Sequence, residues 1–127
     1  MRQRATAILV KDSKILLVKI ADKGRSWWCP PGGTIRPDET PEDAAVRELQ
    51  EELNLEVVPS RRLYVVPMQH EEGIEFGILV EAASTKAALG IDQAVVDWTW
   101  RSLDDVDDLP HARELKAALA SDLNDAV

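Results

Sequence analysis

With 127 residues, 45% hydrophobic and 30% charged, the chain has the balance of one ordinary globular domain, long enough to bury a core without disulfides or a structural metal. Its net charge is −8, and no basic patch of the size that non-specific nucleic-acid binding needs appears in the sequence, since Arg61-Arg62 is only a pair. No apolar run approaches the roughly 20 residues of a membrane span, no secretory signal is recognisable, and the lone Cys29 has no disulfide partner, so a cytoplasmic protein of one domain over residues 1–127 is expected.

In chain order, Ala5–Val10 and Lys14–Ile20 are apolar runs separated by Lys11-Asp12-Ser13 and read as a β-hairpin. Residues 21–38 are rich in Gly, Pro and charged residues around Trp27-Trp28 and read as a long loop. A helix is predicted over 41–53: Thr40 is a good N-cap, Pro41 fits the first helical position, Asp43 stands where a capping-box acid belongs, and Asn54 suits a left-handed exit. Leu55–Val58, Leu63–Met68, Ile74–Glu81 and Val95–Trp100 read as strands. The acidic stretch Ser102–Leu109 reads as a turn or short helix, and its Asp104-Asp105-Val106-Asp107-Asp108 run as a solvated turn, because it lacks the glycine and spaced glutamate of an EF-hand. From His111 to about Leu123 an amphipathic helix is expected, with Leu115, Leu119 and Leu123 as its stripe, flanked by Ala112 and Ala118. Strands before and after a central helix, plus a terminal helix, predict a mixed sheet covered by helices.

The 41–53 helix carries the chemistry. Helical periodicity puts Ala45, Val46, Leu49 and Leu53 on one face, and the i,i+3 and i,i+4 spacing converges Glu48, Glu51 and Glu52 on the side predicted to oppose it. Three clustered carboxylates repel one another, and they occupy the C-terminal half, where the helix dipole disfavours negative charge. Surface helices often carry solvated Glu-rich faces, so the triplet alone decides nothing. A hard cation would explain it, because magnesium takes oxygen ligands from one or two carboxylates, waters and substrate phosphates.

The surrounding residues decide. Gly33, five residues, Glu39, seven residues, then Arg47-Glu48-Leu49-Gln50-Glu51-Glu52-Leu53-Asn54-Leu55 resembles the Nudix box, G-x5-E-x7-R-E-U-x-E-E-x-G-U with U aliphatic, across 23 of the 127 residues. Only the last glycine departs, and Asn54 in its place tolerates positive φ. Pro30-Pro31-Gly32-Gly33 is similar to the usual entry into the box.

The resemblance implies an α+β fold, the Nudix-type α/β/α sandwich with a central mixed β-sheet and the box loop-helix-loop on one side. It also implies a magnesium-dependent phosphoanhydride hydrolase (pyrophosphatase), with manganese as a substitute, acting on a small nucleotide with no membrane or stable nucleic-acid partner. A homodimer is left open. Glu51 and Glu52 are implied as magnesium ligands. Glu48 is a further ligand or the group acting on the attacking water, and the choice of base stays unassigned. Arg47 is implied to pair with Glu51 or Glu39 and hold the carboxylates, the Gly32 carbonyl to face the metal, Gly33 to allow close backbone approach, and Glu39 to close the loop onto the helix. Asp92, six residues before Trp98, is a candidate extra ligand against simple turn chemistry, with Glu71, Glu72, Glu75 and Asp97 as alternatives.

Substrate choice lies outside the box. Trp27 or Trp28 could stack on a base, with packing in the core as the equal alternative. His70 and Phe76 could line the same pocket but are read as structural. The downstream positions that mark ADP-ribose and dinucleoside polyphosphate subgroups hold His70 and acids such as Glu72, with Pro67 too early, and no NADH-type motif follows. By elimination and from small size, the reading leans to nucleoside triphosphate hydrolysis to the monophosphate and pyrophosphate. ADP-ribose or dinucleoside polyphosphate hydrolysis and a non-catalytic nucleotide-sensing module are the alternatives.

Overall fold

The computed structural model describes residues 1–125, with side chains described through residue 120, so Leu123 as a stripe residue lies outside the described side chains. The chain runs β1 (Arg2–Ile8), β2 (Val10–Lys11), β3 (Lys14–Asp22), β4 (Arg25–Cys29), β5 (Gly32–Thr34), α1 (Pro41–Leu53), β6 (Val57–Pro67), β7 (Gly73–Ala82), β8 (Val95–Ser102) and α2 (Ala112–Asp125).

The strands form two four-stranded sheets. One has the order β5-β1-β7-β6 and is mixed, because β1 pairs parallel with β7 while β5 and β6 run antiparallel to their neighbours. In the other, β8 lines one edge of β3, and β2 and β4 pair with its two ends. The chain steps from the first sheet into the second at Leu9, whose carbonyl accepts the Leu16 N–H at 3.0 Å.

Residue pattern explains the layering. On β1, Ala5 and Ala7 face one side while Ile8 faces the other; on β3, Leu16 and Val18 alternate with Ile15 and Leu17. Strands buried on both faces read as continuous apolar runs. The first face packs under α1 with Ala44, Ala45, Leu49 and Leu53, and the second packs under α2 with Leu115 and Leu119. The result is the expected α/β/α sandwich. Each fully buried leucine contributes on the order of 2 kcal/mol.

The expected 5–20 hairpin is smaller than predicted, since only β2 and β3 pair and β1 belongs to the other sheet. Its turn, Asp12-Ser13, has positive φ at both residues, the geometry two-residue hairpins favour. The predicted 21–38 loop is corrected most. A second turn of this kind at Lys23-Gly24 folds 25–29 back onto β3, and 32–34 adds to β1. The strands expected at 55–58 and 63–68 are one strand, β6, whose register against β7 shifts between Pro59 and Arg61 and again between Arg62 and Tyr64. These are β-bulges, each turning the following side chains.

The box helix starts and stops as its sequence dictates. Thr40 Oγ1 accepts the Asp43 N–H at 3.1 Å, Pro41 opens the helix, and Asn54 leaves it at φ 55°. Thr40→Ala is expected to cost about 1 kcal/mol, read as a fall of about 4 °C in melting temperature. An unchanged melting temperature would show that the cap carries no stability. Beyond Asn54, the 84–94 segment folds back over the helix end. Ala88, Gly90 and Asp92 donate their N–H groups to the carbonyls of Leu53, Glu52 and Glu51 at 3.0, 3.0 and 3.2 Å. The otherwise orphaned carbonyls are thereby satisfied. A Cβ at Gly90 would overlap the Glu51 carbonyl oxygen, so only glycine permits this approach.

Candidate active site

The box glutamates are not a solvated face. Glu48 and Glu52 are buried, at 8% and 1% exposure, and Glu51 is half-buried. The expectation that they oppose the packed face is therefore corrected. At about 100° per residue, Glu52 falls about 20° from Ala45 in projection, so it shares the packed face and only Glu51 turns clearly away. What receives Glu52 is backbone: Gly32 donates its N–H to Glu52 Oε2 at 3.0 Å. A Cβ at Gly33 would fall on the Glu48 carboxylate, and one at Gly32 would fall on the Ala5 carbonyl oxygen. The two glycines thus let β5 lie directly against the helix carboxylates.

Arg47 ties the loop to the helix. Its Nε and Nη2 bond the Glu39 carboxylate in a two-pronged pair at 2.6 and 2.8 Å, and Nη1 bonds Glu48 Oε1 at 2.8 Å and Glu51 Oε2 at 3.2 Å. Nη2 also reaches the Thr34 carbonyl at 3.1 Å. Glu39 Oε1 accepts the Arg36 N–H at 2.9 Å as well, which closes the loop onto the helix. Hydrogen bonding from Arg47, with the Arg36 N–H in support, holds the Glu39 carboxyl down at about 2.

Glu52 is shifted the other way. Burial first, then the charges of Glu48 and Asp92, push it up to about 9, against the opposing pull of Arg4 and the Gly32 N–H. Asp92 therefore lies near enough to act on Glu52 electrostatically, and it also makes a turn, its Oδ1 accepting the Ala94 N–H at 3.0 Å. Among the described residues no three His, Cys, Asp or Glu side chains are gathered at metal-ligating distances, and Arg47 Nη1 bridges Glu48 and Glu51. Each box glutamate nonetheless keeps one oxygen without a hydrogen bond among the described residues: Glu48 Oε2, Glu51 Oε1 and Glu52 Oε1. Hard oxygen donors, two of them buried, fit a divalent cation such as magnesium, which would draw the Glu52 carboxyl into its ionised form.

Beside this cluster a cleft of about 310 Å3 opens between β1, β4, β6, β7 and the head of α2, with Gly32 on its wall. Strand alternation sends Trp27, 43% exposed, into the cleft. Trp28 turns to the opposite face and packs with the second core cluster, with Lys19 Nζ 6.0 Å from its ring centroid. His70 and Glu71 line the cleft, whereas Phe76 packs in the first core cluster beneath the Arg62 guanidinium. Asp97 is exposed on β8 and Glu72 is exposed before β7, so neither joins the box carboxylates. Glu75, weighed from sequence only as a metal ligand, is buried in the cleft with Arg4, Tyr64 and His111. These four come from β7, β1, β6 and the residue preceding α2, and no local spacing links them.

The sequence matches the NUDIX domain model over residues 1–121. The chain belongs to the Nudix family. That membership makes it a hydrolase of the pyrophosphatase kind. The MutT Nudix hydrolase from Burkholderia pseudomallei is 29% identical, with 94% of this chain and 95% of that one covered, at a TM-score of 0.73. An ADP-ribose pyrophosphatase from Streptococcus suis is 24% identical over 95% and 91% of the two chains at 0.76, and a MutT protein from Methanosarcina mazei is 19% identical over 95% and 94% at 0.77. At such identity the latter two bear on the fold alone. No curated protein sequence matches. Among the described residues of this Nudix domain, no helix is long and apolar enough to cross a membrane.

Proposed function

We propose that this Nudix domain hydrolyses a free nucleoside triphosphate to the monophosphate and pyrophosphate, as one cytoplasmic catalytic domain over residues 1–127. The observation that carries the reading is the set of three glutamate oxygens without a hydrogen bond among the described residues, Glu48 Oε2, Glu51 Oε1 (3.6 Å from Arg36 Nη2) and Glu52 Oε1, with Arg47 bracing Glu48 and Glu51 and the Gly32 N–H holding Glu52, beside a cleft that holds Trp27. The cleft's volume of about 310 Å3 suits one nucleoside rather than two, which favours a mononucleotide over a dinucleoside polyphosphate.

Glu51 and Glu52, with Glu48, Asp92 and the Gly32 carbonyl beside them, would hold magnesium, or manganese in its place. When bound, the cation neutralises phosphate oxygens and makes a coordinated water more acidic. The chain's own groups do the rest. Arg47 and Glu39 hold the carboxylates in place, a role for which loss typically costs 10- to 100-fold. Gly33 keeps the backbone close to Glu48, and Trp27 stacks on the base. Water attacks phosphorus, the phosphoanhydride P–O bond breaks, and one free carboxylate oxygen takes the water's proton. The net charge of −8 argues against a nucleic-acid substrate.

The test is incubation with magnesium and a panel of nucleoside triphosphates, ADP-ribose and diadenosine polyphosphates, with products identified by mass spectrometry. Pyrophosphate plus a monophosphate is expected, absent when the cation is chelated. AMP plus a sugar phosphate from ADP-ribose, with triphosphates untouched, would overturn the triphosphate reading. Binding without turnover of any member would replace catalysis with nucleotide sensing.

A further inference from the structure

Arg4 on β1 and Glu75 on β7 are direct partners across the parallel pair, so their side chains stand side by side in the cleft. Their separation is 3.6 Å from Arg4 Nε to Glu75 Oε1. Each is pinned from behind. Glu75 Oε2 accepts the Tyr64 hydroxyl at 3.2 Å, and the Tyr64 ring fills the space a Cβ at Gly77 would take. His111 Nε2 lies 4.0 Å from the same oxygen, on a residue held at φ 57° ahead of α2. Such a backbone outlier at a cleft wall is strain that the surroundings must hold in place. Arg4 Nε bonds Thr6 Oγ1 at 3.2 Å and its Nη2 reaches the Pro30 carbonyl at 3.5 Å.

What keeps hydrogen-bonding capacity is one acceptor and one donor group. Glu75 Oε1 and Arg4 Nη1 make no hydrogen bond among the described residues. No buried side-chain nitrogen or oxygen among those residues lacks a partner, so Oε1 is open to the cleft rather than sealed. We propose that this pair reads the base of the substrate, accepting one that presents an exocyclic amino group beside an unprotonated ring nitrogen and rejecting its oxo counterpart. The amino group donates to Glu75 Oε1 while the ring nitrogen accepts from Arg4. An oxo base reverses both signs, setting a carbonyl oxygen against a carboxylate and a ring N–H against a guanidinium. A carboxylate cannot donate and a guanidinium cannot accept. With its phosphates anchored at the glutamates, the ring has little freedom to slide into a better register. The inference rests on the nucleotide-hydrolase reading above.

Two substrate pairs isolate the group: CTP against UTP, and ATP against ITP. In whichever pair the cleft takes, kcat/KM is expected to favour the amino member by roughly ten- to a hundred-fold. Glu75→Gln, which can donate as well as accept in the same shape, should bring the ratio to within about threefold, mainly through KM. Trp27→Ala should weaken both members alike and leave the ratio as it was. Tyr64→Phe, which removes the hydroxyl that pins Glu75, should narrow the ratio while both members are still cleaved, and it serves if Glu75→Gln fails to fold, an undiminished ratio then overturning the inference. Equal turnover of the two members by the wild type, a preference for the oxo member, or an undiminished ratio in a folded Glu75→Gln protein overturns the inference. If ADP-ribose is the only compound cleaved, the triphosphate reading fails on its products, and the same comparison is made between ADP-ribose and its inosine analogue.

Discussion

Glu52→Gln is expected to lower kcat/KM by roughly 10² to 10⁴ and to leave the fold intact. The side chain keeps its length and still offers an oxygen to the Gly32 N–H, which now bonds Glu52 Oε2 at 3.0 Å. Only the capacity to ionise disappears, and an ionised carboxylate is what a cation and a proton acceptor both need. Initial rates of magnesium-dependent pyrophosphate release, read beside the circular-dichroism spectrum, decide the matter. A folded variant at the wild-type rate would remove Glu52 from the site.

The same substitution has a second, opposite signature in stability. Burial and the charges of Glu48 and Asp92 raise Glu52 from its ordinary 4.5 to about 9 in the metal-free protein. Below pH 4.5 folded and unfolded chains both hold the proton and the contribution is fully present. Between 4.5 and 9 the unfolded chain ionises while the folded carboxyl keeps its proton, so stability falls with rising pH and is lost as pH passes 9. Glutamine cannot titrate. The metal-free melting temperature of Glu52→Gln should therefore gain on the wild type progressively from pH 5 to pH 9. Saturating magnesium should shrink that gap, because a ligand of the folded state alone stabilises it. A gap that stays constant with pH would mean that Glu52 is ionised throughout.

Legibility in the sequence followed the range of the signals. Thr40, Pro41 and Asn54 act within one turn, and α1 begins and ends where they stand. The box residues lie within one 23-residue stretch, so their grouping was readable even though the burial of Glu52 was not. That burial depends on β5 lying against the helix, and the 32–34 strand is hidden in a glycine-rich stretch without alternation. The hairpin around Lys23-Gly24 was masked similarly, by charged residues that resemble a loop and by tryptophans whose alternation is only two residues long. Trp27 and Trp28 could not be told apart until β4 was seen to pair with β3. Farthest out of reach was the Arg4–Glu75 pair, since parallel pairing of β1 with β7 joins positions 71 residues apart. Tyr64 comes opposite Gly77 there because two register shifts move β6 by two residues against β7.

Arg47→Lys tests whether the box needs a charge at this position or a fork. All five N–H groups of Arg47 are used, two on Glu39, one each on Glu48 and Glu51, and one on the Thr34 carbonyl. Lysine keeps the charge but offers three donors from a single point and cannot span three carboxylates. Glu39 would lose its paired bonds, and Glu48 and Glu51 would lose the group that spaces them. Arg47→Lys should therefore cost about 10- to 100-fold in kcat, with more magnesium needed for half-maximal rate. Arg47→Ala should go further and destabilise the fold by on the order of 3 kcal/mol, because it strands partly buried carboxylates without their partner. That corresponds to a melting temperature lower by about 10 °C. The deficit should narrow in acid, since Glu39, held at about 2 chiefly by Arg47, contributes stability above its ordinary 4.5 that is lost as pH falls through that low value. If Arg47→Lys matched the wild type in kcat and in magnesium dependence, a positive charge alone would suffice and the positioning role given to the fork would be wrong.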